Sequence, residues 1–172
     1  VNQFNAKNWA DSFYRKDWTT LYPLDTYTQS DGDNQYYEGK LPGERTSEFP
    51  HELRSKIGKD YGVIRATPYG NDLTLNFCRE ALKAESLGKD EITDFLAISL
   101  SSPAYIGHTF GPNSMEAEDA MLRFDISLGE FLDFLDQSVG KNQYLLFLRF
   151  FISSFLFFFL YFLVCIITYT RH

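Results

Sequence analysis

Short apolar runs and longer stretches of helical periodicity alternate along the middle of the chain. The runs cover residues 62–66, 95–100 and 144–148, and their length and their proline, glycine or polar flanks predict buried strands. Between them, apolar residues recur at helical spacing over residues 71–87 and from residue 113 to about residue 136. This β-α-β-α-β order predicts an α/β fold with a partial parallel sheet, in which right-handed crossovers bring all three carboxyl ends to one edge.

Polar residues mark the ends of both predicted helices. Asn113 is a predicted N-cap, with Glu116 three positions later as in a capping box. Glu118 and Asp119 add negative charge to the first turns, where the helix dipole favours it. Gly88 predicts the end of the earlier helix.

The N-terminal third of the chain follows a different pattern. Trp9, Phe13 and Tyr14 recur at helical spacing within residues 5–18 and predict a short amphipathic helix. Residues 19–60 are rich in Tyr, Asp, Gly and Pro and show little periodicity. Such a long irregular segment is typical of either a functional lid or a disordered linker.

Two candidate ligand groups lie in this irregular region. Asp31-Gly-Asp33-Asn34 has the spaced carboxylates of a calcium loop, but the later ligands and the closing glutamate are missing. We therefore expect a solvated turn there. His51 follows a proline and has no partner that the sequence identifies, so we assign it no role.

The C-terminal tail is the most apolar part of the chain. Residues 150–170 contain no charged side chain, and their length predicts an apolar helix that could cross a bilayer. Arg149 before this stretch and Arg171 with His172 after it leave the orientation undecided. The predicted divisions are residues 1–60 with the helix and the irregular Tyr-rich region, an α/β domain at residues 61–148, and the tail at residues 149–172.

Charge and cysteine content exclude some classes of function. The formal net charge is −7 and the pI is about 4.9, so nucleic acid, which needs a basic surface, is excluded as a partner. Cys78 and Cys165 are expected to be small buried hydrophobes rather than a disulfide. The chain begins at Val1 without a charged, apolar leader, and we expect it to be a fragment.

One histidine stands at the predicted sheet edge. A loop over residues 101–112 follows the second strand, and ligands of open α/β sheets bind at the carboxyl ends of strands. His108 is its best candidate for a metal ligand or a general base. Ala104 occupies the position four residues earlier, where a second ligand could share the site.

Other polar residues at this edge have simpler interpretations. Thr67, Ser101 and Ser102 carry hydroxyls, but no base or orienting group accompanies them, so we expect them to cap strand ends rather than to act as nucleophiles. Arg65 at the end of the first run could face phosphate, but we expect it to extend to the surface.

Several segments resemble one enzyme family. They are Trp18-Thr-Thr-Leu-Tyr-Pro23, Tyr27-Thr-Gln-Ser30, residues 61–71, Thr93-Asp-Phe-Leu-Ala97 and Gly107-His108-Thr-Phe-Gly-Pro112. Together they span about residues 18–148 and resemble the alkaline phosphatase superfamily. Within it they are similar to the phosphate-irrepressible alkaline phosphatases related to nucleotide pyrophosphatases and type I phosphodiesterases.

The resemblance implies hydrolysis of phosphate esters by two zinc ions, in an enzyme that is periplasmic or secreted. The family motif Asp-x-x-x-His-x-x-Gly-Pro supplies two ligands to one zinc, and His108 matches its histidine while Ala104 takes the aspartate position. An Asp-His pair that binds the second zinc falls on Phe151 and Ile152. The family nucleophile lies upstream of Val1, so we expect this chain to bind no zinc and to be inactive as given.

Two interpretations of the tail remain open. It could anchor a membrane-bound, non-catalytic binding module through residues 150–170. Alternatively, it could be the product of a shifted reading frame, because the resemblance runs in register to Leu148 and then stops abruptly in Phe-rich sequence. We favour the shifted frame.

Overall fold

A computed structural model describes residues 1–152 and 159–167. Its helices are α1 Asn2–Asn5, α2 Trp9–Tyr14, α3 Tyr69–Ala84, α4 Ser102–Phe110 and α5 Met115–Leu135, and its strands are β1 Asp94–Leu100, β2 Tyr144–Ile152 and β3 Phe159–Ile167. Short 3-10 helices cover Leu24–Thr26, Arg54–Lys56 and Tyr61–Ala66, and a π-helical turn covers Asp136–Gly140. The mixture of helices and strands confirms the α/β class.

The three strands form one sheet in the order β1-β3-β2, and both pairs are antiparallel. Leu100 of β1 and Phe150 of β2 both pair with Tyr161 of β3. β1 and β2 therefore run in the same direction, and their carboxyl ends lie at one edge. The predicted adjacent parallel pairing is wrong, because β3 lies between the two strands.

The first predicted strand is also wrong, because Tyr61–Ala66 forms a 3-10 helix. The Asp60 carboxylate accepts a hydrogen bond of 2.9 Å from the Gly62 amide and so caps the helix start. Val63 is buried, which satisfies an apolar position without a sheet partner. An apolar run this short fits a helical turn as well as a strand, and the local cap favours the turn.

The two long helices are confirmed as α3 and α5, although the cap of α5 differs from the prediction. Ser114, not Asn113, is its N-cap, and the Ser114 hydroxyl accepts a hydrogen bond of 3.2 Å from the Ala117 amide. Glu116 is therefore one residue too early for a capping box, and its side chain turns into the interior with 0% exposure.

Two groups of buried apolar side chains stabilise the molecule. The first joins α3, β1 and α5 through Leu75, Leu82, Ile98, Leu100, Phe124, Phe131 and Leu135. The second fixes the N-terminal region against α4 through Phe13, Tyr14, Trp18, Leu41, Leu53, Ile106 and Phe110. Each fully buried apolar side chain contributes about 1.5–3 kcal/mol, so residues 19–60 are held by packing even though they are largely irregular.

The predicted apolar C-terminal helix is wrong for Phe159–Ile167, which form the middle strand of the sheet. Phenylalanine and branched aliphatic side chains suit a pleated strand as well as a helix, and the unpaired edges of β1 and β2 favour strand pairing. The remaining parts of that prediction, at residues 153–158 and 168–170, lie outside the described residues. Within the described part of the chain, no helix has the length and apolar character to span a bilayer.

Candidate functional site

His108 lies in the last turn of α4, where the sequence predicted a loop, and its side chain is exposed. The helix forms because Pro103 lies in its first turn, where a missing amide hydrogen costs nothing, and because Gly111 ends it with a φ of 101°. Ala104 is buried one turn before His108. The position that could complete a metal-binding pair with His108 therefore presents a methyl group.

The three hydroxyl side chains for which the sequence predicted capping differ in their surroundings. The Thr67 hydroxyl donates a hydrogen bond of 2.8 Å to the Ile64 carbonyl, so Thr67 caps the end of the 3-10 helix Tyr61–Ala66 rather than the predicted end of a strand. Ser101 is the N-cap of α4 but makes no side-chain cap, so that expectation is wrong. The Ser102 hydroxyl packs so closely on Gly70 that a Cβ at this glycine would clash with Ser102 Oγ.

Arg65 is exposed, as the sequence predicted, and covers the ring of an aromatic residue of α4. Its guanidinium carbon lies 4.8 Å from the centroid of the Tyr105 ring. This cation–π contact gives Arg65 a packing role on the outer face of α4.

A cavity of about 500 Å³ lies between α4 and α5, beside the Gly107 backbone. Its apolar lining includes Ile106 and Met121, and its charged side chains are the carboxylates of Glu118 and Asp125. A cavity with negative and no positive side chains among its described lining does not suit a phosphate group.

His51, to which the sequence assigned no role, is completely buried between two carboxylates. Its Nδ1 lies 3.1 Å from Glu44 Oε2 and its Nε2 lies 3.2 Å from Glu116 Oε1. Burial lowers the His51 pKa, but the hydrogen bonds that the ring donates to Glu116 and Glu44 outweigh this effect and raise the pKa to about 9. His51 is therefore an imidazolium that bridges the irregular segment and α5.

Aromatic rings and a backbone bridge fix the His51 side chain in place. The ring centroids of Trp18, Phe49 and Phe110 lie 5.0, 4.8 and 4.9 Å from that of His51. Trp18 and His51 also exchange two backbone hydrogen bonds of 2.9 Å each. No local pattern reveals this arrangement, because its partners are far apart in the chain.

Beside His51, three carboxylates converge from two elements. Asp33 and Glu38 come from the irregular segment and Glu116 from the first turn of α5, and one oxygen of each lies within 4.8 Å of the others. Burial raises the pKa of both Asp33 and Glu38, and the Glu116 charge adds to both shifts. The Asp33 part of the predicted solvated turn is thus wrong, since the carboxylate points into this group rather than into water.

A second buried carboxylate ties the segment after Trp18 to α5. Asp119 accepts hydrogen bonds of 2.7 Å from Trp18 Nε1 and 2.7 Å from the Leu21 amide. It also forms an ion pair of 2.6 Å with Arg123 one turn later. Tyr27 donates to the same carboxylate from the other side. The sequence placed Asp119 near the helix start only for its charge, and its tertiary role was not visible.

The chain is similar to known phosphatases over nearly its whole described length. The profile of the type I phosphodiesterase / nucleotide pyrophosphatase family matches residues 4–149. Alkaline phosphatase PhoV of Synechococcus elongatus is 48% identical over 148 residues, which are 86% of this chain and 27% of that protein. Alkaline phosphatase PafA of Elizabethkingia meningoseptica is 45% identical over 152 residues, again 86% of this chain and 27% of the relative.

The fold agrees with this relationship. The crystal structure of wild-type alkaline phosphatase PafA superposes with a TM-score of 0.80 at 44% identity, covering 82% of this chain and 27% of that chain. The present chain thus spans about a quarter of the length of these relatives. The match ends one residue after Leu148, where the sequence motifs placed the end of the resemblance. The chain therefore belongs to the type I phosphodiesterase / nucleotide pyrophosphatase family, within the alkaline phosphatase superfamily.

Proposed function

We propose that this chain is part of a zinc-dependent phosphoric-ester hydrolase and that the chain alone does not hydrolyse phosphate esters. The observation that carries the proposal is the 48% identity to an alkaline phosphatase over 86% of the chain. The shared fold supports it, because the crystal structure of alkaline phosphatase PafA matches 82% of this chain with a TM-score of 0.80 at 44% identity.

The proposed inactivity follows from the metal ligands that the chain offers. Zinc in a catalytic site needs about three protein ligands, usually histidine or carboxylate. His108 is the candidate ligand, but Ala104 provides none one turn earlier, and the described group of possible metal ligands does not include His108. The described residues therefore do not fit a two-zinc centre.

The substrate class and the compartment belong to the same proposal. Phosphate esters as substrates, and a location outside the cytoplasm, are implied by membership of the family alone. Thr67 and Ser102 are engaged in packing and capping, so neither is proposed as a nucleophile.

A chimeric enzyme tests whether the segment retains its family role. Residues 4–149 of this chain would replace the matching residues of alkaline phosphatase PafA, with and without Ala104→Asp. We expect the unaltered chimera to lack zinc-dependent hydrolysis of p-nitrophenyl phosphate and the Ala104→Asp chimera to regain it.

The control is the same Ala104→Asp chimera with His108→Ala added, which we expect to be inactive. A folded Ala104→Asp chimera without hydrolysis would contradict the proposal that this segment carries one half of a metal-binding pair. Hydrolysis by the unaltered chimera would contradict the proposal that alanine at position 104 prevents zinc-dependent hydrolysis.

A further inference from the structure

We propose that Asp33, Glu38 and Glu116 bind one calcium ion that fastens the irregular segment to the start of α5. One carboxylate oxygen of each residue lies within 4.8 Å of one oxygen of the other two. This inference goes beyond phosphate-ester hydrolysis and does not depend on it, since none of its readouts is an enzymatic activity.

Each of the three carboxylates has one oxygen held by the protein. Asp33 Oδ2 accepts a hydrogen bond of 3.0 Å from the Phe49 amide, and Glu38 Oε2 accepts one of 2.9 Å from the Ser47 hydroxyl. Glu116 Oε1 lies 3.2 Å from His51 Nε2. Hydrogen bonds of this kind orient metal ligands and fix their positions before the metal arrives.

The other oxygen of each carboxylate is buried and accepts no hydrogen bond from the described residues. These atoms are Asp33 Oδ1, Glu38 Oε1 and Glu116 Oε2. The cost of an unpaired oxygen is greatest at Glu116, because its side chain has 0% exposure. A buried anionic oxygen without a donor is costly, and a cation is the ligand that would satisfy three of them together.

The group also holds more carboxylates than basic side chains. Four carboxylates, those of Asp33, Glu38, Glu44 and Glu116, lie around the single imidazole ring of His51. Both ion pairs that they make with described residues use His51, which leaves Asp33 and Glu38 without a cationic partner in that part of the chain. A divalent ion would offset most of this excess of negative charge.

Calcium fits the group better than zinc or magnesium. The ligands are all carboxylate oxygens, which hard cations prefer and which favour calcium or magnesium over zinc. Calcium–oxygen distances are about 2.3–2.6 Å, so ligands on opposite sides of the ion can lie up to about 5.2 Å apart, and three oxygens within 4.8 Å of one another fit around one calcium ion. Opposite ligands of magnesium lie only about 4.0–4.2 Å apart.

The position of the group gives the ion a structural role near His108. Gly39 follows the ligand Glu38, and its amide donates a hydrogen bond of 2.6 Å to the Thr109 carbonyl. Thr109 is the residue after His108 in the last turn of α4. Calcium would thus brace the irregular segment against both α5 and the helix end that carries His108.

Thermal unfolding of the full 172-residue chain tests the proposal. After dialysis against EGTA, we expect calcium at about 100 times its dissociation constant to raise the unfolding midpoint by about 5 °C or more. Calorimetric titration should give one calcium per chain. An unchanged midpoint with no measurable heat of binding would overturn the proposal.

A Glu38→Gln variant separates a calcium ligand from a merely structural side chain. Glutamine keeps the acceptor for Ser47 and removes one of three mutually repelling charges, so its midpoint in EGTA should equal or exceed that of the parent chain. In calcium its midpoint should fall below that of the parent, because a ligand charge is lost. Asp25→Asn, which removes an exposed carboxylate from the same segment, should preserve the full calcium shift. The assignment of Glu38 as a calcium ligand would be overturned if the Glu38→Gln midpoint were below that of the parent chain both in EGTA and in calcium. It would also be overturned if calcium raised the midpoint of the variant as much as that of the parent chain.

Terbium, which substitutes for calcium and is excited through nearby indoles, gives an independent readout. The Trp18 ring centroid lies 5.0 Å from that of His51, whose Nε2 contacts Glu116. We expect terbium emission on indole excitation, displacement by calcium, and at least a tenfold weaker apparent affinity in Asp33→Asn. If both Asp33→Asn and Glu38→Gln bound terbium with the affinity of the parent chain, the result would contradict the site.

Discussion

Trp18 and Asp119 are 101 positions apart in sequence, and Trp18 Nε1 donates a hydrogen bond of 2.7 Å to Asp119 Oδ2 in the buried interior. The exposures of both side chains are 0%. This bond joins the start of the irregular segment to the first turns of α5. Because residues 19–60 have little regular structure, such long-range bonds define the path of that segment.

Loss of the Asp119 carboxylate should destabilise the protein strongly. Asp119→Ala leaves the Trp18 indole, the Leu21 amide and the Arg123 guanidinium without their shared acceptor, and we expect a loss of about 3 kcal/mol. Urea unfolding would measure it. Asp125→Ala, at an exposed position of the same helix, should change the free energy of unfolding by less than about 0.5 kcal/mol. Equal effects of the two substitutions would contradict the role of Asp119.

Alkaline pH should destabilise the protein through its buried tyrosines. Burial and the hydrogen bond to Asp119 raise the pKa of Tyr27 to about 12, from an unfolded value of about 10. Between these values the folded state holds a proton that the unfolded state has lost, so stability decreases as pH rises from about 10 to about 12. Below pH 10 this contribution is fully present.

The measurement is the urea midpoint at several pH values in that range, for the parent chain and for Tyr27→Phe. We expect a shallower decline in Tyr27→Phe because one titrating group is removed. Tyr14, whose pKa burial also raises to about 12, should maintain part of the decline in that variant. Identical slopes in the two proteins would show that Tyr27 does not titrate as expected.

Gly39 should tolerate no side chain where it meets α4. A Cβ there would lie 2.5 Å from the Thr109 carbonyl oxygen, and backbone must move to relieve that contact. We expect Gly39→Ala to cost about 1–3 kcal/mol in the free energy of unfolding. Gly129→Ala is the matched control, because a Cβ at that α5 position meets nothing within 4 Å and should stabilise the helix by up to about 1 kcal/mol. The same sign for both substitutions would contradict the close approach.

The shifted-frame interpretation of the tail makes a prediction about the gene. The family profile ends at residue 149, and the carboxyl end of β2 then carries Phe151 and Ile152 at the positions of an expected Asp-His pair. We expect another reading frame after the codon of Arg149 to encode Ala-Asp-His-Gly, since these residues would supply metal ligands at that edge. Sequencing the DNA tests this, and no such frame within a few codons would count against the shifted frame.

Apolar periodicity was sufficient to predict the two long helices. The apolar spacing that predicted helices over residues 71–87 and 113–136 corresponds to α3 and α5, because both helices pack one apolar face on the core. Residues 62–66 were misassigned because a short apolar run carries no periodicity. The order of the strands was predicted wrongly because β3 lies between β1 and β2. Pairing between segments that are distant in the chain leaves no local signal in the sequence.

In the candidate site, too, local features could be predicted from the sequence and long-range contacts could not. His108 was predicted as a metal ligand from its motif, and that role stays a prediction. The structure corrects only its surroundings, because His108 lies in the last turn of α4 rather than in a loop. The contact between His51 and Glu116 was missed, since a histidine after a proline and a glutamate near a helix start have no visible connection in sequence. Only the fold brings them within 3.2 Å.

The most direct test of the central claim is a steady-state assay of the purified chain with p-nitrophenyl phosphate and its diester, with zinc added. The chain has the family fold but presents Ala104 where a ligand should accompany His108. We expect no zinc-dependent turnover above that of a His108→Ala control. Zinc-dependent turnover that His108→Ala abolishes would contradict the account.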